Sequence, residues 1–198
     1  MLNRLRTIWT HQGGLAAVEF ALILPVMLVL FFGIVETSMA LGAKASVTSI
    51  AATAADLVAQ ESTVSDADEQ NVFSAASAIL YPHPASSTDS KGVTTSLLKI
   101  VISSIVYDKD NPTTSGKVAW SDSSTGSGAR TVGSRYTYPA DAINPGNTAN
   151  LVDEGGSIIL VEVTYNYSSP TAQTVAGSWT MSSSFITRPR QVAQIARS

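Results

Sequence analysis

The stretch Leu15–Val35 reads LAAVEFALILPVMLVLFFGIV, and Glu19 is its one charged residue. At about 1.5 Å rise per residue, a helix of this length matches a bilayer hydrocarbon core, which is about 30 Å thick. A core helix that is hydrophobic on every side would need a larger protein around it than a chain of 198 residues provides. We therefore predict a transmembrane helix over residues 15–36.

The segment before this helix, MLNRLRTIWTHQGG, contains Arg4 and Arg6 and no acidic residue. Because positively charged flanks stay on the cytoplasmic side, the N-terminus is expected inside and the remaining chain outside the cytoplasm. The predicted organisation is a cytoplasmic leader at 1–14, the transmembrane helix at 15–36, an extracytoplasmic helical region at 37–81 and a β-rich head at 82–198.

The apolar stretch is also compatible with a signal peptide or with a plain membrane anchor. A signal peptide has a shorter apolar region and a small-residue cleavage site, which Ser38-Met39-Ala40 imitates, so a secreted domain could be released after Ala40. As an anchor, the stretch would hold an unprocessed single-pass envelope scaffold. A plain anchor has no use for Glu19, however, because burial in lipid disfavours an ionised carboxylate.

The residues around Glu19 carry a resemblance. The string Gly14-Leu15-Ala16-Ala17-Val18-Glu19-Phe20 resembles the processing site of type IV prepilin-like proteins. The longer string GGLAAVEFALILPVMLVLFFGIVE is similar to the N-terminal signature of the TadE-like family, with small residues before an EFAL core and a proline within the helix. The resemblance implies that a membrane aspartyl peptidase cuts between Gly14 and Leu15, which makes Glu19 the fifth residue of the mature chain.

The same resemblance implies a function, partners and a location. It implies a minor pseudopilin that takes part in assembly of a tight-adherence (Flp-type) pilus, and hence in cell adhesion and biofilm formation. The implied partners are the prepilin peptidase, other minor pseudopilins, the major Flp-type pilin and the inner-membrane pilus platform. The implied location is the bacterial inner membrane with a periplasmic head, and the pilus or cell surface is a further location.

The residue types in this signature have physical reasons. Gly14 lets the backbone enter a narrow protease site, since it has no side chain. After cleavage, Glu19 could pair with the new α-amino group of a neighbouring subunit, where a low dielectric strengthens the attraction. Alternatively, the Glu19 side chain extends to the lipid headgroups or stays protonated, without any role in pairing. Pro25 removes a helical hydrogen bond and predicts a kink, and the resemblance adds Phe20 to the helix-packing residues.

Two amphipathic segments follow the membrane stretch. Apolar residues at helical spacing extend the first helix: Val47, Ile50, Ala51, Ala54, Leu57 and Val58. Ser65 and Asp68 resemble a capping box, and they precede a second apolar series: Val72, Phe73, Ala76, Ile79 and Leu80. This second helix is expected to stop by Tyr81-Pro82, because proline disfavours helix in the residue before it.

The rest of the chain predicts strands. These are Leu97–Tyr107 and Lys117–Ser121 as a hairpin, Ser157–Tyr167 with one strongly apolar face and one mixed face, and Gly177–Thr187. Polar loops are expected over Asp122–Ser134 and around Asn144–Asn147. The predicted fold class is α+β, a long transmembrane helix that continues into a pilin-like head with a second helix and a small antiparallel sheet.

The closing segments extend the resemblance. SIILVEVTYNY and SSSFITRPR look like the family's final pair of strands, the second of which ends in an Arg-Pro-Arg motif. Arg188 and Arg190 are favoured as a solvated basic terminus, and contact with an assembly partner is the alternative.

The composition excludes several other functions. A formal net charge of −3 gives no basic field for nucleic acid, and the absence of cysteine excludes disulfides and thiolate metal sites. His11 and His83 are far apart, Asp108, Asp110 and Asn111 favour a plain turn over a calcium loop, and no phosphate loop or nucleophile elbow is present. We predict no enzymatic activity and no cofactor.

Overall fold

The computed structural model describes residues 14–110, 115–138, 155–169 and 178–198. These residues divide into two compact units. The N-terminal unit contains the chain up to Leu41 together with Ser169, and the head unit contains Gly42–Ser168 and Ser178–Ser198.

Helix α1 extends over Leu15–Ala59, which is 45 residues, and it includes Pro25. Up to Leu41 its apolar side chains are mostly exposed, with fractions of 78% at Leu22 and 72% at Val29. The long N-terminal helix is therefore confirmed, while the kink at Pro25 stays a prediction.

Within the head unit, one stripe of α1 is buried. The fully buried residues are Ala43, Val47, Ile50, Ala51, Ala54, Ala55 and Ala59. The predicted stripe is confirmed, except that Leu57 is only half-buried. Five of these seven residues are alanines, which let a helix lie close to neighbouring elements because they have no side chain beyond Cβ. The Lys44 ammonium donates a hydrogen bond to the Ser182 carbonyl in the sheet.

Helix α2 spans Asp66–Ala78 and begins with the predicted capping box. The Ser65 N–H donates to Asp68 Oδ2 over 2.9 Å, and the Asp68 N–H donates to Ser65 Oγ over 3.3 Å. These two bonds satisfy donors that a helix start leaves unpaired. The helix ends before Tyr81-Pro82, as predicted.

The strands in chain order are β1 (Thr63–Val64), β2 (Ser86–Thr88), β3 (Thr94–Ser96), β4 (Leu98–Tyr107), β5 (Ser115–Ser123), β6 (Arg135–Thr137), β7 (Ser157–Ser168), β8 (Ser178–Thr187) and β9 (Ala196–Arg197). The main sheet has the order β6-β5-β4-β7-β8, and every pair in it is antiparallel. Strands β2 and β3 form a separate antiparallel pair, and β1 pairs with β9 in parallel. The α+β class is confirmed.

Some boundaries differ from the sequence prediction. Asp122 and Ser123 belong to β5 and not to the predicted loop, because they pair with Ile102 and Val101 of β4. The predicted end of the strand was wrong because Asp122 and Ser123 are polar and therefore look like loop residues in the sequence. A turn is predicted over Asp108–Gly116 between the two strands of the hairpin, but Ser115 and Gly116 already belong to β5. Residues 111–114 of that turn and the predicted break at residues 144–147 lie outside the described residues.

Strand β7 is buried on both faces over its first half. Its residues Ile159, Val161 and Val163 lie on one face, and Ile158 and Leu160 lie on the other. The second face is completed by a cluster of Ile105, Val118 and Tyr138, with Tyr107, Tyr136 and Ile186 packed against it. Farther along, Glu162 and Thr164 are half-buried and Asn166 is exposed, which agrees with one strongly apolar and one mixed face.

Candidate functional site: the N-terminal helix and the C-terminal arginines

Gly14 lies immediately before the first residue of α1, which is Leu15. Gly14 is exposed, and a Cβ atom placed on it would meet no described atom within 4 Å. Its backbone does not adopt the positive φ that favours glycine. Neither packing nor backbone strain in the described part of the chain therefore requires glycine at this position.

Glu19 lies one turn into α1, four residues after Leu15, so both residues are on the same side of the helix. Its side chain is exposed, and it forms no hydrogen bond or ion pair with any described residue. A carboxylate in this position offers all its acceptor capacity to another molecule.

Phe20 and Pro25 lie in the same apolar helix segment. The Phe20 side chain is 59% exposed. Pro25 has no N–H, so the carbonyl one turn before it, at Ala21, has no helical donor at that position. The Phe20 ring is therefore available for packing against another helix, and the Ala21 carbonyl is available to accept a hydrogen bond.

The first part of α1 is long and apolar enough to cross a membrane. Its most apolar 18-residue window has a mean hydropathy of 2.6, and none of that window is buried. Soluble proteins rarely expose an apolar patch larger than a few hundred Å², on the order of one short helix face. A bilayer or the helices of other subunits would remove this surface from water.

The C-terminal arginines contact residues of the head unit. Arg190 forms an ion pair with Asp56 of α1, and its N–H donates to the Ala59 carbonyl over 2.9 Å. Arg188 is exposed to solvent, and it also interacts with other groups of the protein. The structure thus gives Arg190 a role inside the chain, and contact of Arg188 and Arg190 with an assembly partner stays a prediction.

Arg197, which the sequence pattern did not indicate, joins three carboxylates from two elements. Its guanidinium donates to Asp122 over 3.0 Å and to Glu69 over 3.2 Å, and it also pairs with Asp66. These partners lie up to 131 residues away in sequence. The capping box at Ser65 was the only nearby signal, and it indicated a helix start and no charge cluster.

In two further groups of charged residues in the head unit, the members form ion pairs with each other. Asp108 is bound by Lys117 over 2.9 Å and by Arg135 over 3.2 Å, and the Lys117 hydrogen bond lowers the pKa of Asp108. Arg130 binds Glu162 with two bonds of 2.7 and 2.8 Å. Among the described residues, no group of three or more histidine or acidic side chains is placed to hold a metal ion.

Comparison with known proteins identifies a TadE-like segment. The family model described as TadE-like protein matches residues 14–56. The resemblance seen in the sequence is therefore confirmed over this segment, which begins at Gly14 and includes Glu19 and Pro25. The likeness of the closing strands lies outside the matched residues and stays a prediction. Searches of curated proteins and of solved structures found no match.

Proposed function

We propose that this chain is a minor pseudopilin of a tight-adherence (Flp-type) pilus, matured by a prepilin peptidase that cleaves between Gly14 and Leu15. The observation that carries the proposal is the match of residues 14–56 to the TadE-like family, which indicates involvement in a Tad/Flp pilus system. The matched segment begins at the proposed cleavage residue.

Two structural observations support cleavage at this bond. Gly14 is exposed, and no described atom would contact a side chain there, so the described part of the fold gives no reason for glycine. A peptidase that must draw the backbone into a narrow site supplies a reason. The bond also lies at the junction between a basic leader and the start of α1, where a membrane protease can reach it.

The exposed Glu19 supports a role in subunit assembly. After cleavage, Leu15 carries a free α-amino group, and the Glu19 carboxylate of an adjacent subunit neutralises it within the bilayer. The exposed apolar helix then packs laterally on the helices of other minor pseudopilins or of the major Flp-type pilin. In this arrangement the inner-membrane platform holds the helix, and the head unit lies in the periplasm.

The proposal predicts that the mature protein begins at Leu15. We expect intact mass and N-terminal sequencing of the protein from its host's membranes to show loss of residues 1–14. A Gly14→Arg variant should keep its leader, because a long charged side chain blocks entry into the protease site. Gln12→Arg is the matched control, since it adds the same charge two residues away, and it should be cleaved normally.

Each contrary result identifies a different function. An uncut Met1 in a host with an active prepilin peptidase would contradict the proposal and favour an unprocessed envelope scaffold. Mature chains that start at Leu41 in the soluble periplasmic fraction would instead establish a secreted domain. The position of Ala40 inside the continuous helix Leu15–Ala59 makes that third outcome the least compatible with the fold.

The proposal also separates processing from assembly at Glu19. In a Glu19→Gln variant we expect normal cleavage and normal membrane insertion, but more than a tenfold drop in surface pili, because removing one partner of a buried ion pair costs about 3–5 kcal/mol. Electron microscopy counts of pili per cell and the mass of the mature chain measure the two steps. Wild-type pilus numbers in this variant would show that Glu19 has no part in assembly.

A further inference from the structure

The last residues of the chain cross several elements of the head unit. We call residues Arg188–Ser198 the C-terminal strap. Gln191 donates to the Gln60 carbonyl over 2.6 Å, just beyond the end of α1, and the Ser198 N–H donates to the Val64 carbonyl of β1 over 3.0 Å. Between them, the Ala193 carbonyl accepts the Ser157 N–H of β7 over 2.9 Å. The strap therefore connects the end of α1 with the main sheet.

The centre of the strap is anchored in the interior. Ile195 is 2% exposed, and its carbonyl accepts a hydrogen bond from the Trp120 indole N–H over 2.8 Å. Trp120 is itself 7% exposed. Opening of the strap would expose both side chains, so its closure has a measurable free energy.

The end of the strap is held by charge. Arg197 donates to the Val64 carbonyl over 3.1 Å, to Asp122 of β5 and to Glu69 of α2, and it pairs with Asp66. One positive charge therefore contacts three carboxylates, and it also interacts with the charge of Asp68 in the first turn of α2. The net charge of Arg197 and these three carboxyl groups is −2 when all three are ionised, and −1 when one of them is protonated.

Glu69 is the member of this cluster that is hidden from water. Its side chain is 6% exposed, whereas the Asp122 side chain is 36% exposed and that of Asp66 is 94% exposed. Glu69 Oε1 is buried and has no hydrogen-bond partner among the described residues. An ionised carboxylate with an unsatisfied oxygen is costly in such a place.

We propose that Glu69 makes the C-terminal strap a pH-sensitive latch, closed when the Glu69 carboxyl is protonated and loosened when it ionises beside Asp122. Arg197 contacts Asp122, Asp66 and Glu69 together, so ionisation of Glu69 strengthens its own contact with Arg197. Burial of Glu69 and its repulsion by Asp122 outweigh that gain, and protonation removes both costs. Ionisation leaves a buried carboxylate with one unpaired oxygen, and opening of the strap gives that oxygen access to water. The latch does not depend on the proposed function.

The surroundings of Glu69 place the transition near neutral pH. Burial raises the pKa of Glu69 to about 7, Asp122 and Asp66 add to the increase, and Arg197 opposes it. When the strap opens, the carboxyl gains access to water and its pKa falls toward the ordinary value of about 4.3, while Asp122 and Asp66, which are not part of the strap, stay beside it. The closed state then binds more protons between these two values, so closure weakens as the pH increases through this window.

Hydrogen exchange tests this latch in the full-length protein in detergent micelles. After correction for the intrinsic exchange rate, we expect the protection of residues 192–198 to fall by up to about tenfold between pH 6 and pH 8. Glu69→Gln should remove this fall, because glutamine keeps the shape and cannot ionise. Glu61→Gln is the matched control: Glu61 is an exposed carboxylate near the end of α1, and the variant should behave as the wild type.

Two results would overturn the proposal. One is protection of residues 192–198 that does not change with pH in the wild type, and the other is an unchanged pH profile in Glu69→Gln. If Glu69→Gln does not fold, Asp122→Asn decides: it removes a carboxylate that raises the pKa of Glu69, so the fall between pH 6 and pH 8 must become smaller. A fall of wild-type size in Asp122→Asn would also overturn the latch.

Discussion

Replacing Leu28 and Val29 with two arginines is expected to release the protein from the membrane. Both side chains lie in the exposed apolar part of α1, at 46% and 72% exposure. Each arginine near the centre of a membrane helix costs about 3 kcal/mol on insertion scales, so the pair opposes insertion by about 6 kcal/mol. We expect the variant to be absent from membranes washed with alkaline carbonate.

The matched control for this experiment places the same two charges elsewhere on the helix. Thr48 and Ser49 are exposed residues of α1 in the head unit. A Thr48→Arg and Ser49→Arg double variant should stay in the carbonate-washed membranes like the wild type. Retention of the Leu28→Arg and Val29→Arg variant in the same fraction would show that this part of α1 does not span the bilayer.

The long elements could be predicted because their sequence patterns are strong. The apolar stretch from Leu15 to Val35 is long enough for a membrane helix, and alternation over Ser157–Tyr167 indicates a strand with the correct faces. The stripe of α1 was predicted correctly at Val47, Ile50 and Ala54, since helical spacing determines which residues share a face.

The short elements escaped prediction for physical reasons. Strands β1 and β9 have two residues each and form because distant segments meet, with no periodic signal in either segment. Asp122 has the polarity of a loop residue in the sequence, yet it lies in β5, where it forms an ion pair with Arg197. Sequence patterns report local preference, whereas such pairs depend on where the chain returns after 75 residues or more.

The candidate site also has one part that could be predicted from the sequence and one part that could not. Gly14, Glu19 and Pro25 could be identified from the sequence because they lie within one continuous segment, and the family match begins there. The contacts of Arg190 with Asp56 and of Arg197 with Glu69 could not, because both depend on the folded position of the strap. The processing role of Gly14 and the assembly role of Glu19 remain predictions for experiment.

Replacing Ala54 with glutamate is expected to destabilise the head unit strongly. Ala54 is 0% exposed and lies in the buried stripe of α1, so the new carboxylate would be taken out of water among apolar side chains. An uncompensated buried charge costs about 3–5 kcal/mol, which corresponds to roughly 10 °C or more in Tm for a chain of this size. Circular dichroism melting in detergent micelles measures the loss.

Ala45→Glu separates burial from every other effect of the substitution. Ala45 is exposed on the same helix, so the change in helix propensity and total charge is identical, and its effect should stay within about 0.5 kcal/mol. Ala54→Gln has nearly the same size without ionisation and isolates the steric part. Equal melting temperatures for Ala54→Glu and Ala45→Glu would show that the α1 stripe is not a buried surface.

The pH dependence of the Ala54→Glu variant gives a second, independent signature. Burial would raise the pKa of the new carboxyl above its unfolded value of about 4.3, so the folded state would favour the protonated form. Destabilisation should therefore be smallest below that unfolded pKa and should grow as the pH increases. At low pH the variant should approach Ala54→Gln, because a neutral carboxylic acid and an amide differ little in size or polarity. A gap between the two variants that is the same at every pH would mean that the carboxyl reaches water, and that this face of the helix is not buried.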